Sequence, residues 1–307
     1  MLATTSTDAA MTDLTTFAIT ARWPAKHPDR LQLYSLPTPN GVKVSIMLEE
    51  TGLPYEVHRV AFDKNEQLTP EFLSLSPNNK IPAILDPNGP GGKPLGLFES
   101  GAILVYLAGK TGRFLPADEA RRFETLQWLM FQMGGIGPMF GQLGFFNKFA
   151  GKDYEDKRPR DRYVDESKRL LAVLNQRMEG RKWLMGDDYS IADIATWPWV
   201  RNLYGFYGAG DLVGIQNFPD VTRAVDAFVA RPAVLQRVDL EVGGGHAVAD
   251  FAKHRALARR ESKQDHVRVL EPLGLVHREH ERRAQDASRF VFVLIAQHDH
   301  GEIGRLA

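Results

Sequence analysis

The hydrophobic pattern divides the 307-residue chain into stretches of different period. Residues 1–30 are rich in Thr, Ala and Pro and follow no period, which predicts a flexible N-terminal extension. "LQLYSL" (31–36) is strand-like, and "VKVSIMLEETG" (42–52) is helical up to Gly52, with Pro54 just beyond. "YEVHRVA" (55–61) reads as a second strand, completing a βαβ unit. "PEFLSLS" predicts a short helix, and "IPAILD" and "PLGLF" flank the turn-rich "PNGPGGK" as a hairpin with a long loop. A helix over 99–111 closes a block, residues 31–112, whose order predicts a mixed sheet with helices packed on it.

The period changes near 112–118. "EARRFETLQWLMFQM", "RYVDESKRLLAVLNQRM", "SIADIATWPWVRNLY" and "FPDVTRAVDAFVAR" carry apolar residues three and four apart, so residues 118–240 are expected to be all-α. Residues 246–307 differ again and hold seven of the nine histidines, with "HREH" and "HDH" among them. Their spacing matches no metal-ligand pattern, so the expectation is a solvated, poorly ordered tail and no metal.

Composition narrows the classes of function. Lys plus Arg and Asp plus Glu each total 38, so the formal net charge is zero and nothing asks for nucleic acid or an anionic membrane. No apolar run approaches the roughly 18 residues that cross a bilayer, and the N-terminus lacks a secretory pattern, which makes a cytoplasmic protein the expectation. There is no cysteine, hence no disulfide, thiolate metal site or cysteine nucleophile. No phosphate-binding loop, dinucleotide fingerprint, zinc-protease motif or nucleophile elbow is present.

One turn nevertheless carries chemistry. In "PTPNGVK", Thr38 and Asn40 precede a helix beginning near Gly41, where backbone N–H groups and the helix dipole favour an anion. A thiolate is such an anion, and a helix N-terminus lowers a thiol pKa. The chain can therefore activate a thiol it does not own, if a thiol ligand lies there. The plainer alternative is that Thr38 and Asn40 serve only as turn and cap residues. "FES" places Glu99 and Ser100 at another helix start, which suits a carboxylate at Ser100 and an ammonium at Glu99, or is an ordinary N-terminal turn. Ser190 and Asp193 in "YSIADIA" form a capping-box arrangement, read as structural.

Taken together, "PTPNGVK", "SPNNKIPAI", "LFESGAILVYLA", "LQW…GGIGPMFGQ" and "YSIADIATWPW" resemble the cytosolic glutathione transferases over roughly residues 31–235. More narrowly, they resemble the bacterial nu class, whose members act as glutathione-dependent disulfide-bond oxidoreductases. The resemblance implies the glutathione transferase fold: an α/β thioredoxin-like N-terminal domain and an all-α C-terminal domain. It names glutathione as the borrowed thiol, with Thr38 and Asn40 as the catalytic residues and Tyr34, the position of the catalytic tyrosine in other classes, as second choice.

The resemblance also implies a cis Pro82, with the backbone of Ile81 pairing with the extended tripeptide, and Lys80 meeting a ligand carboxylate. Glu99, Ser100 and Gln67 would hold the γ-glutamyl end, with Arg162 reaching a carboxylate from the helical domain. The glycines of "MGGIGPMFGQ" should kink or thin a long helix and leave room for a second glutathione. Phe140, Phe145 and Phe146 are candidates for an acceptor pocket, or are core. Three activities follow: reduction of small disulfides, conjugation of glutathione to electrophiles, and a non-enzymatic regulator that kept the fold. A homodimer is implied.

Overall fold

The computed structural model describes residues 14–235. The tail expected over 246–307 and the first part of the extension lie outside them. The chain falls into two compact units: one runs to Met130 and takes in Tyr189–Pro198, the other comprises Phe131–Asp188 and the chain from Trp199 onward. The packing boundary thus lies beyond the change of period at 112–118, inside a helix.

Residues 14–30 are not a flexible extension. A 3₁₀ turn at Leu14–Thr16 and a short helix α1 (Ile19–Arg22) place Leu14 and Ile19 in the core, with Phe17 and Trp23 packed on the same cluster. Polar contacts hold this strap down. The Lys26 and His27 amides donate to the Glu56 carboxylate at 3.1 and 2.8 Å, and Arg22 pairs with Glu66 at 3.1 Å. The burial of four large apolar side chains offsets the chain entropy that the Thr- and Ala-rich composition suggested would win.

The first unit is built on four strands, β1 (Leu31–Ser35), β2 (Tyr55–Arg59), β3 (Ala83–Asp86) and β4 (Leu95–Phe98), in the order β2-β1-β3-β4. β1 runs parallel to β2 and antiparallel to β3, and β3 is antiparallel to β4. This is the mixed sheet expected of a thioredoxin-like domain. Helix α2 (Pro39–Thr51) joins β1 to β2, α3 (Pro70–Leu75) follows β2, and α4 (Ser100–Thr111) follows β4 and packs against α2. α2 starts earlier than expected, because Thr38 caps it and Pro39 at its first position is preset for helix. The Ile81–Pro82 bond is cis, as the resemblance implied.

Helices α5 (Glu119–Phe131) and α6 (Gly137–Lys148) are separated by a π-helical turn at Gln132–Ile136, the form taken by the glycine-rich stretch. The remaining helices are α7 (Arg158–Met178), α8 (Ile191–Tyr204), α9 (Gly210–Val213) and α10 (Pro219–Val229). On α8 the capping box forms: Asp193 accepts from the Ser190 amide at 3.1 Å and from the Trp197 indole at 3.0 Å.

In the second unit the α6 glycines admit rings rather than leaving space. A Cβ on Gly137 or Gly141 would lie 3.5 Å from Trp199, and one on Gly144 would meet the Tyr207 ring at 2.6 Å. The expected thinning therefore serves internal packing at these positions.

Candidate functional site

The turn after β1 is built around Gly41. A Cβ there would come within 2.0 Å of the Leu36 carbonyl oxygen, so only glycine lets α2 start this close to the strand end. Thr38 is extended (φ −125°, ψ 164°), and its Oγ1 accepts from the Gly41 amide at 3.2 Å. The Val42 amide donates to the Thr38 carbonyl at 2.9 Å, and Pro39 has no N–H. With Oγ1 accepting from the backbone, the Thr38 hydroxyl keeps its own proton to donate. Thr38 and Asn40 are both half-buried.

Tyr34, the penultimate residue of β1, has the opposite character. Its side chain is fully buried, stacked on His58 with ring centres 4.7 Å apart and edge-on to Trp23 at 5.9 Å. Its hydroxyl has no hydrogen-bond partner, and burial, with the Glu56 charge adding to it, pushes the phenol well above its ordinary value. Tyr34 is thus a core residue and offers no hydroxyl to a bound thiol. Burial lowers the pKa of its neighbour His58 against the opposing pull of Glu56, and its Nε2 lies 2.7 Å from Gln32 Oε1. Gln32 Nε2 donates to the His27 and Arg30 carbonyls, so His58 is the donor in that pair.

The second focus is the start of α4. Glu99 holds φ 70°, ψ 111°, a sparsely populated conformation that costs a residue with a side chain about 1–3 kcal/mol. It is exposed, while Ser100 is buried. Sequence reasoning missed the group beneath them. Lys43, one turn into α2 from Asn40, is fully buried, and its Nζ lies 3.3 Å from Ser100 Oγ. Burial lowers its pKa to about 7, against the upward pull of the Glu99 carboxylate. The signal was available: one lysine within "VKVSIMLEE", in a helix whose residues from Lys43 to Leu48 are all buried.

The other expected residues are distributed as follows. Gln67 is buried on a 3₁₀ turn at Glu66–Leu68, and its Oε1 has no hydrogen-bond partner. Ile81 precedes the end of the β1–β3 ladder, where Tyr34 faces Ala83, and Lys80 beside it is exposed. In the second unit, Arg162 is exposed on α7 and lies 3.9 Å from Glu166. Phe140 is fully buried, so it presents no surface to an acceptor; the helix face it occupies belongs to the core. Phe145 and Phe146 are half-buried and form an aromatic cluster with Tyr154 and Tyr163, the last stacked on Phe146 at 5.7 Å. Among the described residues no group of His, Asp or Glu is placed to hold a metal ion.

A mixed four-stranded sheet, a capped helix start after its first strand and a cis proline before its third define a thioredoxin-like domain of the glutathione transferase type. Residues 29–109 match the family described as glutathione S-transferase, N-terminal domain, and residues 136–232 match glutathione S-transferase, C-terminal domain. The chain belongs to the glutathione S-transferase family, in its bacterial nu-like class.

Disulfide-bond oxidoreductase YfcG of Escherichia coli is 53% identical over 172 residues, 56% of this chain and 79% of that protein. A glutathione transferase of Burkholderia graminis, solved with two glutathione molecules bound per subunit, is 75% identical, with a TM-score of 0.75 over 76% of this chain and 98% of that one. One from Pseudomonas putida, solved with one glutathione disulfide bound per subunit, is 68% identical, with a TM-score of 0.73 over 76% and 100% of the two chains.

Proposed function

We propose that the protein is a glutathione-dependent thiol–disulfide oxidoreductase that reduces small disulfides with two glutathione molecules. The observation that carries this reading is the Thr38-capped start of α2 in a chain that has no cysteine. The Gly41 and Val42 amides are engaged by Thr38, so the role of stabilising a thiolate falls to the Thr38 hydroxyl and the Asn40 side-chain amide, aided by the helix dipole. The glutathione thiolate attacks one sulfur of the disulfide, forms a mixed disulfide and expels the other half as a thiolate that takes a proton. A second glutathione attacks the glutathione sulfur of that mixed disulfide, giving glutathione disulfide and the second free thiol.

The remaining assignments extend the same reading. Ser100 and Glu99 bind the γ-glutamyl carboxylate and ammonium, Gln67 Oε1 accepts from the ligand, Ile81 pairs with its backbone, and Lys80 and Arg162 meet carboxylates. The buried acceptor at Gln67 supports this, because such an atom costs free energy until a donor reaches it. Phe145 and Phe146 contact the disulfide substrate. Conjugation driven by Tyr34 loses its basis with the burial of that hydroxyl.

We also read the protein as a cytoplasmic homodimer. Phe123 and Met130 are exposed on one face of α5, with Phe98 exposed on β4, apolar surface that a second copy would cover. Sedimentation at micromolar concentration tests this; a monomer refutes it. For the chemistry, glutathione-dependent reduction of 2-hydroxyethyl disulfide is measured beside conjugation to an aromatic halide. Fast reduction that collapses in Thr38→Ala and Asn40→Ala supports the proposal. Fast conjugation with negligible reduction overturns it.

A further inference from the structure

We propose that Lys43 is a positioning residue of the glutathione site: from beneath the start of α4 it orients the Ser100 hydroxyl toward the ligand's γ-glutamyl carboxylate and draws that carboxylate in. This rests on the reading of Ser100 and Glu99 as the γ-glutamyl end. The geometry comes first. Lys43 Nζ, fully buried between α2 and α4, donates to Ser100 Oγ at 3.3 Å. An oxygen that accepts from an ammonium turns its own proton away from it, which is the orientation a hydroxyl needs to donate to a carboxylate. The same residue lies one turn along α2 from Asn40. One side chain therefore joins the helix that meets the thiol to the helix that meets the other end of the tripeptide.

Charge gives the second argument. A lysine sealed from water loses the hydration that favours its ammonium, and here burial lowers its pKa to about 7, so that the ammonium and the neutral amine are both populated near neutral pH. From the elements packed against it, the Glu99 carboxylate ahead of α4 pulls Lys43 toward its ammonium form. The other charged residue of α4, Lys110, pairs with Asp86 at the far end of that helix, β1 carries no charged residue, and the acidic residues of α2, Glu49 and Glu50, lie toward its C-terminus. When a ligand ammonium engages Glu99, that carboxylate is shared, and the arriving γ-glutamyl carboxylate supplies a new anion beside Ser100. The complex thus favours the ammonium form of Lys43 more strongly than the free protein does, and binding above neutral pH draws a proton from solvent.

The test uses S-methylglutathione, whose capped sulfur removes thiol ionisation from the balance. Calorimetric titration of the full chain near pH 8, in buffers of different ionisation enthalpy, counts the protons exchanged on binding. The wild type is expected to take up a substantial fraction of a proton per subunit, and its affinity to fall up to tenfold per pH unit above neutrality. Lys43→Met, close to lysine in volume and free of the buried charge, should stay folded with an unchanged or raised thermal midpoint. It should lose the proton uptake, flatten the pH profile and bind roughly tenfold more weakly at pH 6.5. Wild-type binding without proton uptake, or a Lys43→Met variant that binds like wild type, overturns the role of Lys43 and leaves the glutathione site standing. No binding of S-methylglutathione or glutathione to the wild type overturns the glutathione reading itself, and this inference with it.

Discussion

Tyr34 and Thr38 both bear a hydroxyl and stand close in sequence, yet their surroundings make them opposites. Tyr34 points into a sealed cluster with Trp23, His58 and Phe72, where its oxygen meets no partner. Thr38 sits half-exposed at a helix start, where its oxygen receives one backbone proton and its own proton stays available. A hydroxyl activates a bound thiol only where the ligand can reach it and where the local dipole favours an anion. Burial denies Tyr34 the first condition, and the start of α2 meets the second.

The comparison is broken most severely at Gly41. Gly41→Ala places a methyl against the Leu36 carbonyl oxygen, and we expect a loss of about 3 kcal/mol in stability by denaturant unfolding together with most of the reductase activity. Thr38→Ala should lower kcat/KM for disulfide reduction by about 10²-fold, the scale for removing one preorganised donor, while Thr38→Ser keeps most of it. An unchanged rate in Thr38→Ala would end the case for the turn.

On the other side of the comparison, Trp23→Ala opens the Tyr34 cluster. It should cost about 2 kcal/mol of stability with kcat/KM held within a few-fold, checked by melting and steady-state kinetics on the same sample. The cluster also predicts a pH effect. His58 has its pKa lowered in the folded state, so the unfolded chain binds more protons around its ordinary value, and the thermal midpoint should fall as pH drops below about 6.5. His58→Gln should flatten that slope. The smallest effect is expected for Tyr34→Phe, which removes an unpartnered buried oxygen: activity within twofold and stability equal or slightly higher.

The sheet and helices could be read from the sequence because their apolar positions repeat at periods of two and of three to four, and Gly52 and Thr38 mark the ends of α2. The strap at 14–30 could not, since its elements span three and four residues and its buried side chains form no period; only the tertiary cluster orders them. At the site, Thr38, Asn40, Glu99 and Ser100 were legible as helix-start residues. Lys43 was hidden by the same apolar run that buries it, because the fold decides whether a lysine in such a run reaches solvent. Phe140 shows the converse: its type fits a pocket, and its position on α6 places it in the core.

The bond from the Gly41 amide to Thr38 Oγ1 has a practical consequence. That amide is tied to a side chain rather than to a backbone carbonyl, so its exchange with heavy water reports the rotamer of a single threonine. Deuterium uptake at Gly41 would slow if a ligand pins Thr38 in its capping geometry and quicken if the ligand pulls the hydroxyl away. One peptide hydrogen thereby offers a spectroscopic view of the site at rest and when filled, without any label.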